Sequence, residues 1–530
     1  MDAKNIIETG KAVLGIEFGS TRIKAILVAP NNQPIAQGSF TWENKIVDGL
    51  WTYSVDDIWN GLQECYMALR ENVKSKYNTD IKVLAAIGIS AMMHGYMAFN
   101  GDQKLLIPFR TWRNTNTVKA ATELSSLFNF NIPLRWSISH LYQCILDKER
   151  HLQEVKFITT LAGYVHWQLT GEKVLGIGDA SGMFPIDSTT KNYDAEMIRK
   201  FEELIVPYHF SWKLQDILPS ILLAGENGGT LTKEGAALLD SSGQLQPGCP
   251  LCPPEGDAGT GMVATNAIRP RTGNVSAGTS SFSMIVLERE LSKAYEVIDM
   301  VTTPDGAPVA MVHCNNCTSD LNSWINIFKE YQYLIGAKID ESEIYEKLFS
   351  HALEGDNDCG GLIYYNYISG EPVTGLTEGR PLFVRSVNDK FNLSNFIKSQ
   401  LYATICVLKI GNDILFNDEK VMVDRITAHG GLFKTRNVAQ RILAAALKTP
   451  ISVMETAGEG GAWGIALLAS FLVNRETNQT LDEYLNHKVF AGNTGIEVTA
   501  NDDEINGFNA YAENYKLGLS IEQAAIKFKK

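Results

Sequence analysis

The chain has 530 residues, is 45% hydrophobic and 20% charged, and carries a formal net charge of −13. That length exceeds one hydrophobic core, so two domains, or two with an appendage, are expected. An acidic balance without a basic cluster argues against nucleic acid or an anionic membrane as partner, and no apolar run reaches the roughly 20 residues needed to span a bilayer. The N-terminal MDAKNIIETGKAV has no apolar signal core. A cytoplasmic enzyme fits best.

In chain order, Leu14–Val28 reads LGIEFGSTRIKAILV, two apolar strands around a Gly-Ser-Thr turn with Glu17 inside the first. Glycine permits the turn, and the backbone N–H groups and hydroxyls of Ser20 and Thr21 at its tip can cradle a phosphate. Glu17 would then hold magnesium, directly or through water. An ordinary hairpin with a solvent-facing acid has the same pattern. Ile58–Val73 follows as an amphipathic helix and Val83–Ile89 (VLAAIGI) as a strand. Pro254–Met262 (PEGDAGTGM) runs from a strand into a helix start with Asp257 at the turn. The helix dipole favours an ionised carboxylate there, and such a group can take a proton from a substrate hydroxyl. A plain N-cap is the other reading.

A break near residues 263–272 (VATNAIRPRT) divides the chain into 12–265, 266–476 and a helical, partly polar appendage at 477–530. Beyond the break, Gly273–Phe282 (GNVSAGTSSF) repeats the hairpin logic with Gly278, Thr279 and Ser280 at its tip. Asn395–Phe416 and Ala439–Leu447 are helix candidates. Between them His429–Asn437 (HGGLFKTRN) has Gly430 and Gly431 where a backbone can approach a flat ligand, with Thr435 able to cap the next helix. Gly458–Gly464 (GEGGAWG) opens another apolar helix. Cys249-Pro-Leu-Cys252 and Cys314-Asn-Asn-Cys317 could form a four-thiolate zinc site, or be buried thiols on strands. The long gap between the pairs favours the thiols. Alternating strands and helices give an α/β class.

The order of these motifs resembles the actin-like ATPase (ribonuclease H-like) fold and, within it, the FGGY family of carbohydrate kinases. GIEFGSTRIKA matches the family's GIDxGTxxxKA. Met93-His94-Gly95 matches MHG, and Thr111–Asn114 (TWRN) lies where a tryptophan-bearing sugar loop is expected. Leu169–Glu172 (LTGE), Gly256-Asp257, Gly278–Ser280 (GTS) and Gly361–Glu371 (GLIYYNYISGE) follow in family order. The likeness covers about residues 12–475 and leans toward pentulokinases.

The resemblance implies two actin-like domains, the first binding sugar and the second ATP, with an interdomain catalytic cleft. It implies a kinase that transfers the γ-phosphate of ATP to a ketopentose, D-xylulose or L-ribulose. Asp257 is then the base, and His94, Gly95, Trp112 and Arg113 contact the sugar; Met92 and Met93 are packing. The tips Gly19–Thr21 and Gly278–Ser280 hold the phosphates, adenosine lies at Gly430–Gly431, and Glu17 serves Mg2+. A homodimer is compatible with the long tail. Other acceptors, or an ATP-binding chaperone or filament protein with no sugar, remain alternatives. Three positions depart from the pattern: Glu17 replaces an aspartate, Asn114 an acid, and Leu432 a glycine.

Overall fold

The opening stretch forms the hairpin that its alternation predicts. Val13–Phe18 (β1) and Arg22–Val28 (β2) pair antiparallel, which sets Glu17 opposite Lys24. Pro34–Thr41 (β3) extends the sheet beyond β2. On the other side, Ala86–Ala91 (β4) and then Glu255–Gly256 (β5) add in parallel, giving the order β5-β4-β1-β2-β3. Val55–Tyr77 (α1), started by a Ser54 capping box, covers β3. Ser137–Leu146 (α2) is almost wholly buried. Asp257–Ala264 (α3) begins directly after β5. The computed structural model describes residues 2–337, 340–454, 460–492 and 495–528.

A second mixed sheet forms the other lobe. Thr272–Ala277 (β6) and Ser281–Val286 (β7) repeat the hairpin. With Asp299–Thr302 (β8), Pro308–Cys314 (β9), Arg425–His429 (β10), Ile451–Val453 (β11) and Ile496–Val498 (β12), the order is β8-β9-β7-β6-β10-β11-β12. Thr318–Leu334 (α4), Leu393–Asp413 (α5) and Val438–Leu447 (α6) belong to this lobe.

Gly460–Asn474 (α7) comes between β11 and β12 of the second lobe in sequence but lies on the first sheet. Two glycines paired in register, Gly15 on β1 and Gly88 on β4, make room for it. A Cβ at Gly15 would come within 2.2 Å of the Ala462 carbonyl, and one at Gly88 within 2.6 Å of that of Ile465. α7 also crosses α3 closely, since a Cβ at Gly464 would meet the Thr260 carbonyl at 2.0 Å. Two helix N-termini, those of α3 and α7, therefore meet beside β1.

Several expectations need correcting. The strand expected over Val83–Ile89 runs over Ala86–Ala91, and Val83 is 47% exposed outside it. The helix after His429–Asn437 is capped not by Thr435 but by Asn437, in a left-handed conformation and without a side-chain bond. The tail is not wholly helical, because β12 joins the second sheet. Its helix Asp502–Leu517 (α8) sinks Phe508, Tyr511 and Tyr515 into the second lobe's core, each 0% exposed. Gly458 and Glu459 lie outside the described residues. Among the described residues no helix is long and apolar enough to cross a membrane.

Candidate active site

The tip Gly19–Thr21 turns its carbonyls inward. Trp42 Nε1 donates to the Gly19 carbonyl at 2.7 Å, Tyr53 Oη to that of Ser20 at 2.5 Å, and the Trp42 amide to that of Thr21 at 3.1 Å. The Trp42 and Tyr53 rings stack at 4.0 Å. The amides of Ser20 and Thr21 find no acceptor among the described residues, so the tip presents donors, as an anion nest requires.

The tip Gly278–Ser280 reaches the same state by another route. Thr318, at the start of α4, donates its amide (3.0 Å) and hydroxyl (2.7 Å) to the Gly278 carbonyl. The Cys317 amide donates to the Thr279 carbonyl at 3.0 Å. Gly430 has φ +107 and lies against the adjoining Ala277 carbonyl, where a Cβ would intrude to 2.3 Å. Gly431 beside it faces open space, and Leu432 turns into the core.

Asp257 occupies the first turn of α3, next to the Gly256 N-cap. Its Oδ1 accepts the Met93 amide at 3.1 Å, and its side chain is open to solvent. Protein crowds its remaining sides, and that desolvation holds its pKa up at about 6 against the opposing backbone donors. Two fully enclosed acids stand behind it. Glu255 accepts the amides of Gly178 and Asp179, and Asp179 accepts the Thr160 hydroxyl at 2.6 Å. Burial lifts Asp179 to about 7; burial and then the Asp179 charge lift Glu255 to about 8.

The acid inside β1 is explained here. The Glu17 carboxylate faces the Gly461 and Ala462 amides at the start of α7, which favour its charged form, while burial raises its pKa to about 7. Lys24 opposes that shift, and Asp257 adds to it. The methylene that distinguishes Glu17 from an aspartate carries the carboxylate to this helix end, where the dipole favours it.

His94 follows Met93 in a left-handed turn, φ +70, with Gly95 at φ +88. Its Nδ1 donates to the Gly182 carbonyl at 3.2 Å, which leaves Nε2 as an acceptor. Burial and then the Arg135 charge hold it neutral. The segment after Asn131 supports this turn: the Gly95 amide donates to the Arg135 carbonyl, Ser137 Oγ to the Gly95 carbonyl, and Trp136 stacks on His94. Arg135 also reaches across to an ion pair with Asp299 on β8, joined by Asn131 at 2.9 Å. Its charge acts on Asp257, His94 and His313 alike.

Trp112 is 37% exposed and donates Nε1 to Ser20 Oγ at 3.2 Å, so it stands beside the first tip. Arg113 lies over the Trp51 ring at 3.9 Å. Asn114, where an acid was expected, is consumed internally: it bonds the Trp51 amide and carbonyl and the Thr111 carbonyl. The zinc reading fails, since Cys249 and Cys252 edge the first sheet while Cys314 ends β9 in the second. All eight cysteines are buried and unpaired. Among the described residues one group gathers three ligand types, Cys144, Glu149 and His151, and the Arg110 guanidinium already bonds its thiol and carboxylate. Sequence reading missed Arg135 and Asp299 and gave no role to Asp179 or Glu255; Asp179 had a signal in the DASG segment after LTGE, and Glu255 in standing two positions before Asp257.

Two family models match the chain. They are described as the N-terminal domain of the FGGY family of carbohydrate kinases, over residues 12–244, and its C-terminal domain, over 273–473. Xylulose kinase of Haemophilus influenzae is 20% identical over 473 residues, 84% of this chain and 91% of that protein. Among solved structures, a xyloylose kinase from Brucella ovis superposes with a TM-score of 0.77 at 17% identity, covering 97% of this chain and 100% of that one. A gluconate kinase from Lactobacillus acidophilus gives 0.76 at 18% identity, covering 97% and 98%. Such likeness fixes the fold, the two-lobed actin-like one.

Proposed function

The chain belongs to the FGGY family of carbohydrate kinases and is a phosphotransferase acting on sugar hydroxyls, and from that premise we propose that it moves the γ-phosphate of ATP to a terminal hydroxyl of a ketopentose, D-xylulose or L-ribulose. The carrying observation is Asp257, open to solvent at a helix N-terminus with its free oxygen beside the His94 turn. Support for a ketopentose comes from the Met93-His94-Gly95 turn and from xylulose kinases among the relatives. Family membership removes the reading of an ATP-binding protein with no sugar acceptor.

In this mechanism Asp257 accepts the hydroxyl proton as that oxygen attacks the γ-phosphorus in line. His94 Nε2 accepts a second sugar hydroxyl, Gly95 lets the turn approach, and Trp112 and Arg113 border the sugar. The outward amides of Ser20 and Thr21 at the first tip, and of Thr279 and Ser280 at the second, hold phosphate oxygens, and adenosine lies along Gly430–Gly431. Positioning and electrostatics supply most of the barrier reduction, because phosphoryl transfer asks little covalent work of the protein. The donor set suits magnesium, since the Asp257 charge disfavours an ionised Glu17 and a divalent cation would relieve that repulsion. Glu17 would hold it, directly or through water. When bound, such an ion offsets charge on the β- and γ-phosphates.

The division 12–265, 266–476 and 477–530 belongs to this proposal, with α7 as the second unit's contribution to the first sheet. Eight unpaired thiols support a reducing, cytoplasmic setting. Exposed Leu517 and Ile521 in the tail support a homodimer. A second reading, a sugar acid as acceptor, is favoured by the Arg135 cation beside His94 and Asp257.

The test is ADP release across ketopentoses, ketohexoses, glycerol and gluconate. A ketopentose should raise it well above background; gluconate as the best acceptor would select the second reading. Asp257→Asn should lower phosphorylation by roughly 10²–10⁴ while leaving nucleotide binding intact. Full turnover by that variant would refute the assignment of the base.

A further inference from the structure

Glu371 is an acid that the mechanism does not use, and it is 0% exposed in the second lobe. Its Oε2 accepts three donors: the Asn315 amide (2.9 Å), the Asn316 amide (3.3 Å) and Asn316 Nδ2 (3.1 Å). Asn316 Oδ1 in turn accepts the amides of Ile368 and Ser369, at 2.9 and 3.0 Å. Asn315 Nδ2 reaches the Gly370 carbonyl at 2.8 Å. The loop from Cys314 to Thr318 is thus fastened along its length. Its next two residues, Cys317 and Thr318, are those that pull the Thr279 and Gly278 carbonyls inward.

We infer that Glu371 is a positioning residue for the nucleotide phosphates: through the Asn315–Thr318 loop it holds the Gly278–Ser280 tip with the Thr279 and Ser280 amides facing outward, while the Gly278 amide closes the turn on the Ser280 carbonyl at 2.9 Å. The inference rests on the reading of that tip as a phosphate site. Glu371 does not touch nucleotide. Three donors on one enclosed carboxylate make a stiff anchor, because charge-assisted bonds are the strong ones and stranded donors are costly to bury. Burial pushes the acid up to about 7, and the Cys314 thiol faces it from β9.

The experiment compares ADP with adenosine by calorimetry on the full chain. Glu371→Ala should weaken ADP by about tenfold, one charged hydrogen bond's worth, and leave adenosine and sugar binding unchanged. Glu371→Gln, which keeps an acceptor oxygen, should restore ADP binding to within about threefold of the parent. Should the alanine variant not fold, Asn316→Ala, which removes one donor and the tie to Ile368 and Ser369, should show the same ADP-selective loss. Equal weakening of ADP and adenosine, or no rescue by glutamine, would make Glu371 a structural residue only and overturn the inference. A parent protein binding adenosine as tightly as ADP would instead refute the phosphate site itself, and the inference with it.

Discussion

The two hairpins share a sequence logic but are held differently. At Gly19–Thr21 side chains from elsewhere in the first lobe, Trp42 and Tyr53, draw the carbonyls in. At Gly278–Ser280 the start of a helix and the loop fastened by Glu371 do so. The residue two positions before the glycine differs as well, an acid at Glu17 and a hydroxyl at Ser276. Of the two hairpins, only the first therefore carries a carboxylate near its tip, and that acid faces the start of α7. Similar turns can be made donor-rich by different supports, and the support decides which other element moves with them.

The largest way to break this contrast is at the tie between Glu17 and α7. A side chain at Gly461 would meet Glu17 Oε1 at 2.3 Å and Thr260 Oγ1 at 2.8 Å. Gly461→Val should cost about 3 kcal/mol of stability, read by denaturant unfolding, with the damage centred on the first lobe. Unchanged unfolding would mean that α7 does not rest on β1 as described.

The backbone amides of both tips do not titrate, so the acid limb of catalysis should belong to the proposed base, Asp257. Asp257 must be ionised to accept a proton and its pKa is raised to about 6. Activity is therefore gained as pH rises through about 6, and kcat/KM for the sugar should fall about tenfold per unit well below it. A profile flat down to pH 4 would contradict this.

Smaller effects separate the two supports. The Ser20 carbonyl takes its hydrogen bond from Tyr53, so Tyr53→Phe should raise the KM for ATP by the loss of one hydrogen bond, about 1 kcal/mol or fivefold. The Gly278 carbonyl keeps the Thr318 amide when the hydroxyl is removed. Thr318→Val should therefore shift the KM for ATP by less than about twofold. The reverse ranking in steady-state kinetics would show that the tips do not depend on these donors as described.

Much of this molecule is legible from one end of the chain to the other. Both hairpins, α1, α5 and α6 were expected within a few residues of where they stand, because apolar period and glycine turns are local properties. Asp257 at a helix start was legible for the same reason. Arg135 was not, because nothing in NIPLRW distinguishes an arginine that crosses to another lobe from one on the surface. Asn114 was legible only as a departure from the motif's acid; that it ties Trp51 to Thr111 through three hydrogen bonds was not. The cysteine pairs looked like a set only in one dimension.

Sequence alone determined the α/β class, the glycine-tipped hairpins and the acid placed at the start of α3, since each depends on neighbours a few residues away. Tertiary structure alone decided that Glu17 meets the end of α7, that Arg135 pairs with Asp299, and that Glu371 fastens the loop behind Thr279. Those contacts join residues far apart in the chain, and their partners are chosen by how closely glycine-lined surfaces let helices and sheets approach.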